Sequence, residues 1–134
     1  MEAALVIPFL LLLTFGIWTT ARAWNIHNTM GHAAREAARF GATVDPWDPA
    51  TSPVSVRSVA DADLASAAID TTAIQTVCMD LVGDGGSCDG HTNNTGTDQV
   101  VVMLRYADYE LQFLFFSLTV DMEASAISRH ETAP

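Results

Sequence analysis

A helical pattern that begins apolar and continues polar constrains this chain more than any other feature. Residues Ala3 to Ala21 carry no charge, and an amphipathic pattern then runs without a break from Arg22 to Gly41. At about 1.5 Å per helical residue the first stretch is roughly 28 Å long, close to the roughly 30 Å hydrocarbon thickness of a bilayer. The second stretch does not belong in lipid, because charged side chains such as Arg22, Arg35, Glu36 and Arg39 would each cost about 2.5 to 3.5 kcal/mol near the bilayer centre. The pattern predicts a transmembrane helix over 3–23 with an amphipathic extension over 24–41. Residues 42–134 then form one small extracytoplasmic domain.

A cleaved secretory signal is the competing reading, since Ala21-Arg22-Ala23 is a small-x-small site by residue type. Two features oppose it. The apolar run is longer than a signal-peptide core, and the chain opens Met1-Glu2 with no basic residue before Arg22. The helical period also crosses the cut: Ile26, Met30, Ala33, Ala34, Ala37, Ala38 and Gly41 fall on one stripe of a 3.6-residue helix. Pro8 is expected to kink the apolar half, and Gly16 to allow another backbone to approach.

Sixteen Asp and Glu stand against six Arg and no Lys, a formal charge of −10. Such a surface repels nucleic acid and anionic lipid headgroups, which excludes direct DNA binding. Cys78 and Cys88 flank a Gly-rich turn and suit a loop-closing disulfide in an oxidising compartment, two buried free thiols being the alternative. A bridge over so short a loop is worth on the order of 2 to 3 kcal/mol on the chain-entropy view. Orientation is contested, because Arg22, Arg35, Arg39 and Arg57 after the apolar run would draw the domain inward whereas the cysteines place it outside. Basic residues upstream of Met1 would resolve the conflict.

Beyond Gly41, Pro46, Pro49 and Pro53 predict a loop, with Trp47 as its anchor on the domain. Leu64, Ala67, Ala68, Thr71, Ile74, Cys78 and Leu81 recur at three- and four-residue steps and predict a second helix over roughly 59–81. The run 83–98 is turn-forming throughout. Val100 to Tyr106 is β-branched and apolar, and Thr119 to Arg129 alternates Val120, Met122, Ala124 and Ala126 with Asp121, Glu123 and Ser125. Both read as strands. Leu111 to Leu118 is apolar and aromatic without a period that decides its state. The fold class is α+β: a long N-terminal helix, a second helix and a short antiparallel sheet.

Three segments resemble one family. They are Glu2-Ala3-Ala4-Leu5-Val6-Ile7-Pro8 with the leucine run and Phe15-Gly16, then Ala33-Ala34-Arg35-Glu36-Ala37-Ala38-Arg39-Phe40-Gly41, and finally Ala124-Ser125-Ala126-Ile127-Ser128-Arg129-His130-Glu131. Together they resemble the TadE-like minor pilins or pseudopilins of the tight-adherence (Tad) type IV pilus system. The resemblance implies a pilin-like domain and a single-pass protein of the bacterial cytoplasmic membrane. It also implies partners among other pilins and the pilus assembly machinery, and incorporation into surface pili as one destination. Arg35, Glu36, Arg39, Gly41, Arg129 and Glu131 stand at motif positions. Glu2 would be the pilin-type acidic residue that meets a neighbour's N-terminal amine, and Ala3, Ala4 and Gly16 would let helices pack closely. Members carry a basic leader that a prepilin peptidase removes after a glycine; no such leader precedes Glu2 in this sequence.

No motif points to catalysis. Asp80, Asp84, Asp89, Asn93, Asn94 and Asp98 offer oxygen ligands that calcium would accept, but their spacing fails the EF-hand pattern, so no cofactor is expected. Gly85-Gly86-Ser87-Cys88-Asp89 misses the nucleophile elbow at its last position, and Cys88 with His91 is a Cys–His pair only without the disulfide. His27 and His32 share no helical face. Asn93-Asn94-Thr95 is a glycosylation sequon by pattern alone. The expectation is a structural pilus component rather than an enzyme. A membrane-tethered sensing domain that uses the 83–98 loop is the alternative, and a secreted protein cut after Ala23 comes third.

Overall fold

The computed structural model describes residues 3–82, 88 and 98–130, with side chains from Val6 onward. A single helix, α1, runs Ala3–Ala42 and continues through Pro8 without interruption. The expected stripe is its buried face. Met30, Ala33, Ala34, Ala37 and Ala38 are at most 1% exposed, Gly41 is buried and Ile26 is half-buried. Alanines dominate because they let the helix axis lie close to what it packs against, namely a second helix and one face of a sheet.

The second helix, α2, spans Ser52–Ser66, which corrects the expected range of roughly 59–81 at both ends. Pro53 begins this helix instead of breaking it, since in the first turn its missing N–H removes no intrahelical bond. Asp48 organises the entry: its carboxylate accepts the Ala50 N–H and the Thr51 hydroxyl, each at 2.9 Å. Ser52, Val56, Ala60 and Leu64 form the buried edge at four-residue steps. The helix stops where Ala68 turns left-handed, at φ 57°. There the Ile69 N–H reaches the Leu64 carbonyl and the Ala68 N–H reaches that of Ala65, the paired bonds of a Schellman end. A glycine usually marks such a stop, and with alanine in its place the three- and four-residue spacing carried the sequence reading on to Leu81.

After a 3-10 turn at Thr71–Ala73, Ile74–Val82 is not helix but strand β1. It pairs antiparallel with β2, Gln99–Gln112, which pairs antiparallel with β3, Ser117–Arg129. The sheet order is β1-β2-β3. A register shift between Thr76 and Cys78 explains why β1 escaped the strand pattern. It lets Ile74 and Met79, five apart, both face the helices, whereas unbroken alternation would send them to opposite faces. Val100, Val102, Leu104, Met122, Ala124 and Ala126 complete the helix-facing layer, while Cys78, Val82, Val101 and Cys88 cluster apart from it. The alternation expected for β3 holds from Met122 to Ala126, with Asp121, Glu123 and Ser125 exposed.

Polar clamps tie the layers together. Arg57 on α2 donates to Asp61 Oδ1 at 2.8 Å, to Thr76 Oγ1 at 2.6 Å, and to the Ile74 carbonyl at 2.9 Å. With a further bond to the Thr71 carbonyl at 3.2 Å, one guanidinium holds the helix, the 3-10 turn and β1 in register. Trp47 is the expected anchor, its indole N–H donating to the buried Asp80 carboxylate at 3.2 Å. His130, also buried, donates from Nε2 to the Val44 carbonyl at 2.7 Å and meets Trp47 edge-on. The 43–51 connection is therefore fastened to β1 and to the residue that follows β3.

Candidate functional site

The N-terminal half of α1 has nothing of its own domain over most of its surface. Phe9, Ile17 and Trp18 are 62%, 70% and 70% exposed, and Val6, Ile7, Leu10, Leu11 and Phe15 are each more than half exposed. From Val6 onward the helix is, by length and composition, long and apolar enough to cross a membrane. Its hydroxyls are already satisfied: Thr19 donates to the Phe15 and Gly16 carbonyls and Thr20 to that of Gly16. This back-bonding spares those hydroxyls the need for water, which suits a lipid-facing helix.

Where β2 and β3 meet, they extend beyond the sheet as a two-stranded ribbon that runs back along α1. The turn Phe113–Phe116 closes on a bond from the Phe113 N–H to the Phe116 carbonyl at 2.8 Å, with the two rings stacked. The segment Leu111 to Leu118, undecided from sequence, is thus the end of a hairpin. An apolar groove lies between Leu12, Gly16, Ile17 and Trp24 of the helix and Phe113 and Phe116 of the turn. On the other side, Trp18 and Arg22 line a more polar depression with Tyr109 and Glu110.

Residues 1–39 match the family of TadE-like proteins. The TadE-like segment takes in the whole uncovered half of α1 and most of the alanine stripe that seats the domain. The likeness noted at Ala124 to Glu131 falls outside the matched residues. No curated protein and no solved structure matches this chain.

The motif residues divide by physical role. Arg35, Glu36 and Arg39 are exposed, and Arg35 Nε donates to the Gly31 carbonyl one turn back at 2.9 Å. They form the wet face of the TadE-like helix. Gly41 is structural, being enclosed by Val100, Val56 and Trp47. Arg129 is exposed at the end of β3. Cys78 and Cys88 form the expected disulfide, with Cα atoms 5.2 Å apart. Gly16 does meet a neighbour, but it is Phe113 of the same chain. His27 and His32 are exposed, with His27 Nε2 3.2 Å from the Glu123 carbonyl oxygen. Asp80, one of the oxygen donors named above, accepts from Trp47 and the Leu81 N–H. Glu2, the side chains of Ala3 and Ala4, Asp84, Asp89, His91, Asn93, Asn94, Thr95 and Glu131 lie outside the described residues.

Sequence reasoning passed over the hairpin tip. Its signal was present in the run Leu111 to Val120, which has no charge and is apolar at both odd and even positions. A half-buried strand would alternate; apolar residues on both faces indicate a ribbon end with little water around it.

Proposed function

We propose that this protein is a minor pilin or pseudopilin of the TadE type, a membrane-anchored structural component for assembly of an adhesive Tad pilus. The TadE-like match and the N-terminal apolar helix fit a Tad pilus-associated membrane protein. The observation that carries the reading is an overlap: the matched residues include the apolar stretch from Val6 to Trp18 whose side chains the chain's own domain leaves largely uncovered. α1 anchors the protein in the bacterial cytoplasmic membrane as a single pass, and the disulfide favours an extracytoplasmic domain. The protein acts in initiation, assembly or capping, alongside other pilins and the assembly machinery, and performs no reaction of its own. Where the gene supplies a leader, a prepilin peptidase is a further partner. Subunits leave the bilayer by exchanging lipid for helix-on-helix contacts, which the uncovered face of α1 offers.

The test is a clean deletion examined by electron microscopy, with the protein followed in membrane and sheared-fibre fractions. Loss of surface fibres, restored by the gene in trans, is expected. Unaltered fibres in the deletion strain would refute the assembly role.

A further inference from the structure

We infer that the Phe113–Phe116 turn is a second membrane contact, inserted among the lipids of the leaflet nearest the domain, alongside α1. This rests on α1 spanning the bilayer, as proposed above.

The depth of the turn is set by the helix it lies against. Phe113 Cε1 is 3.9 Å from where a β-carbon on Gly16 would sit. Gly16 is inside the uncharged run, and the first charge after it is Arg22, about 9 Å further along the helix. The ribbon keeps the same ledger: its last charge before the turn, Glu110, lines a depression with Arg22, and Phe113 is about 10 Å beyond Glu110 at strand rise. Strand and helix thus run side by side, charged level against charged level and apolar level against apolar level. If Arg22 sits among headgroups, the turn sits below them.

The side chains at that depth suit lipid. Phe115 is 79% exposed, and Leu114, Phe116 and Leu118 are about half exposed or more. Between Glu110 and Asp121 no residue is charged. Trp18, Trp24 and Tyr109, near the Arg22 level, are the ring types that favour the membrane–water interface. Past Tyr106 no third strand among the described residues pairs with the ribbon, so its outer backbone groups require water or headgroups. Insertion is therefore shallow, confined to the turn, as for interfacial elements that bury about 5 to 10 Å.

A bulge aims the ribbon. The β2–β3 register shifts between Tyr106 and Tyr109, and Asp108 there adopts φ 54°. Asp121 holds this bend by accepting the Asp108 N–H at 2.9 Å on one oxygen and pairing with Arg105 on the other. Bulges turn a strand pair, and this one lies between the packed sheet and the apolar tip.

The test uses the full chain, with its disulfide intact, in vesicles of phosphatidylcholine and phosphatidylglycerol. Spin labels are placed singly at Phe115→Cys, at Leu11→Cys within the span and at Ala62→Cys on the exposed side of α2. Accessibility to oxygen, which partitions into lipid, is compared with that to an aqueous nickel chelate. The expected result is a several-fold preference for oxygen at positions 115 and 11 and the reverse at 62. A label at 115 that behaves like the one at 62 overturns the inference while leaving the anchor standing. A label at 115 shielded from both reagents also overturns it, because another protein surface would then cover the turn. If position 11 itself meets the aqueous reagent, the anchor and the inference fall together.

Discussion

Gly41 lies so close to Val100 that a β-carbon on it would stand 2.8 Å from Val100 Cγ1 and 3.1 Å from Val56 Cγ2. Three elements converge there: the end of α1, the buried edge of α2 and the central strand. Valine branches are stiff, so neither neighbour yields without moving its backbone. Gly41→Ala is expected to cost about 1 to 3 kcal/mol by overpacking. Gly31→Ala is the control of opposite sign, since its β-carbon would find only ordinary contact with Arg35 at 3.8 Å and a mid-helix glycine costs about 0.5 to 1 kcal/mol relative to alanine. Thermal unfolding of the full chain in detergent measures both. Equal effects from the two substitutions would remove the steric account of Gly41.

Ala68 bears a side chain at φ 57° while its N–H and that of Ile69 complete the end of α2. Ala68→Gly keeps both bonds and relieves the left-handed strain, a gain of about 1 kcal/mol. The midpoint of urea unfolding should rise with no change in slope. A fall would show that chain entropy outweighs the strain.

Three carboxyls are held below the usual carboxylate range: Asp121 by the Asp108 N–H and then Arg105, Asp48 by the Ala50 N–H and then the Thr51 hydroxyl, and Asp70 by the hydroxyl and N–H of Thr72. A depressed folded-state pKa adds stability that is complete above the unfolded value, about 4, and is lost as pH falls through the folded value. Stability should thus be flat across neutral pH and decline below about pH 4. Combining Asp48→Asn, Asp70→Asn and Asp121→Asn should lower stability at pH 7 and make the acid slope shallower. An unchanged slope would assign the acid sensitivity to other groups.

The Cys78–Cys88 bridge closes a short loop beside Val82 and Val101. Replacing both cysteines with alanine is expected to cost about 2 to 3 kcal/mol, chiefly by freeing the unfolded chain. Unfolding of wild type with and without reductant should show a gap of similar size, and a reductant-insensitive midpoint would contradict the assignment.

Local pattern determined a good deal. The uncharged run from Ala3, the stripe from Ile26 to Gly41, the disulfide partners, Trp47 as anchor and the alternation of β3 were all legible, because each depends on spacing along one element. Whether Ile74–Val82 is helix or strand depended on β2, since a bulged strand with irregular apolar spacing acquires its state from its partner's hydrogen bonds. In the sequence Arg57 counts only as one of the charges that follow the apolar run; its bonds to Thr76 and Ile74 exist only because the fold brings β1 beside α2. The placement of Phe113 beside Gly16 belongs to tertiary structure alone. Composition marks both segments as apolar, but only the packing of the sheet on α1 and the bend at Asp108 bring a distant turn level with the membrane-length half of the helix.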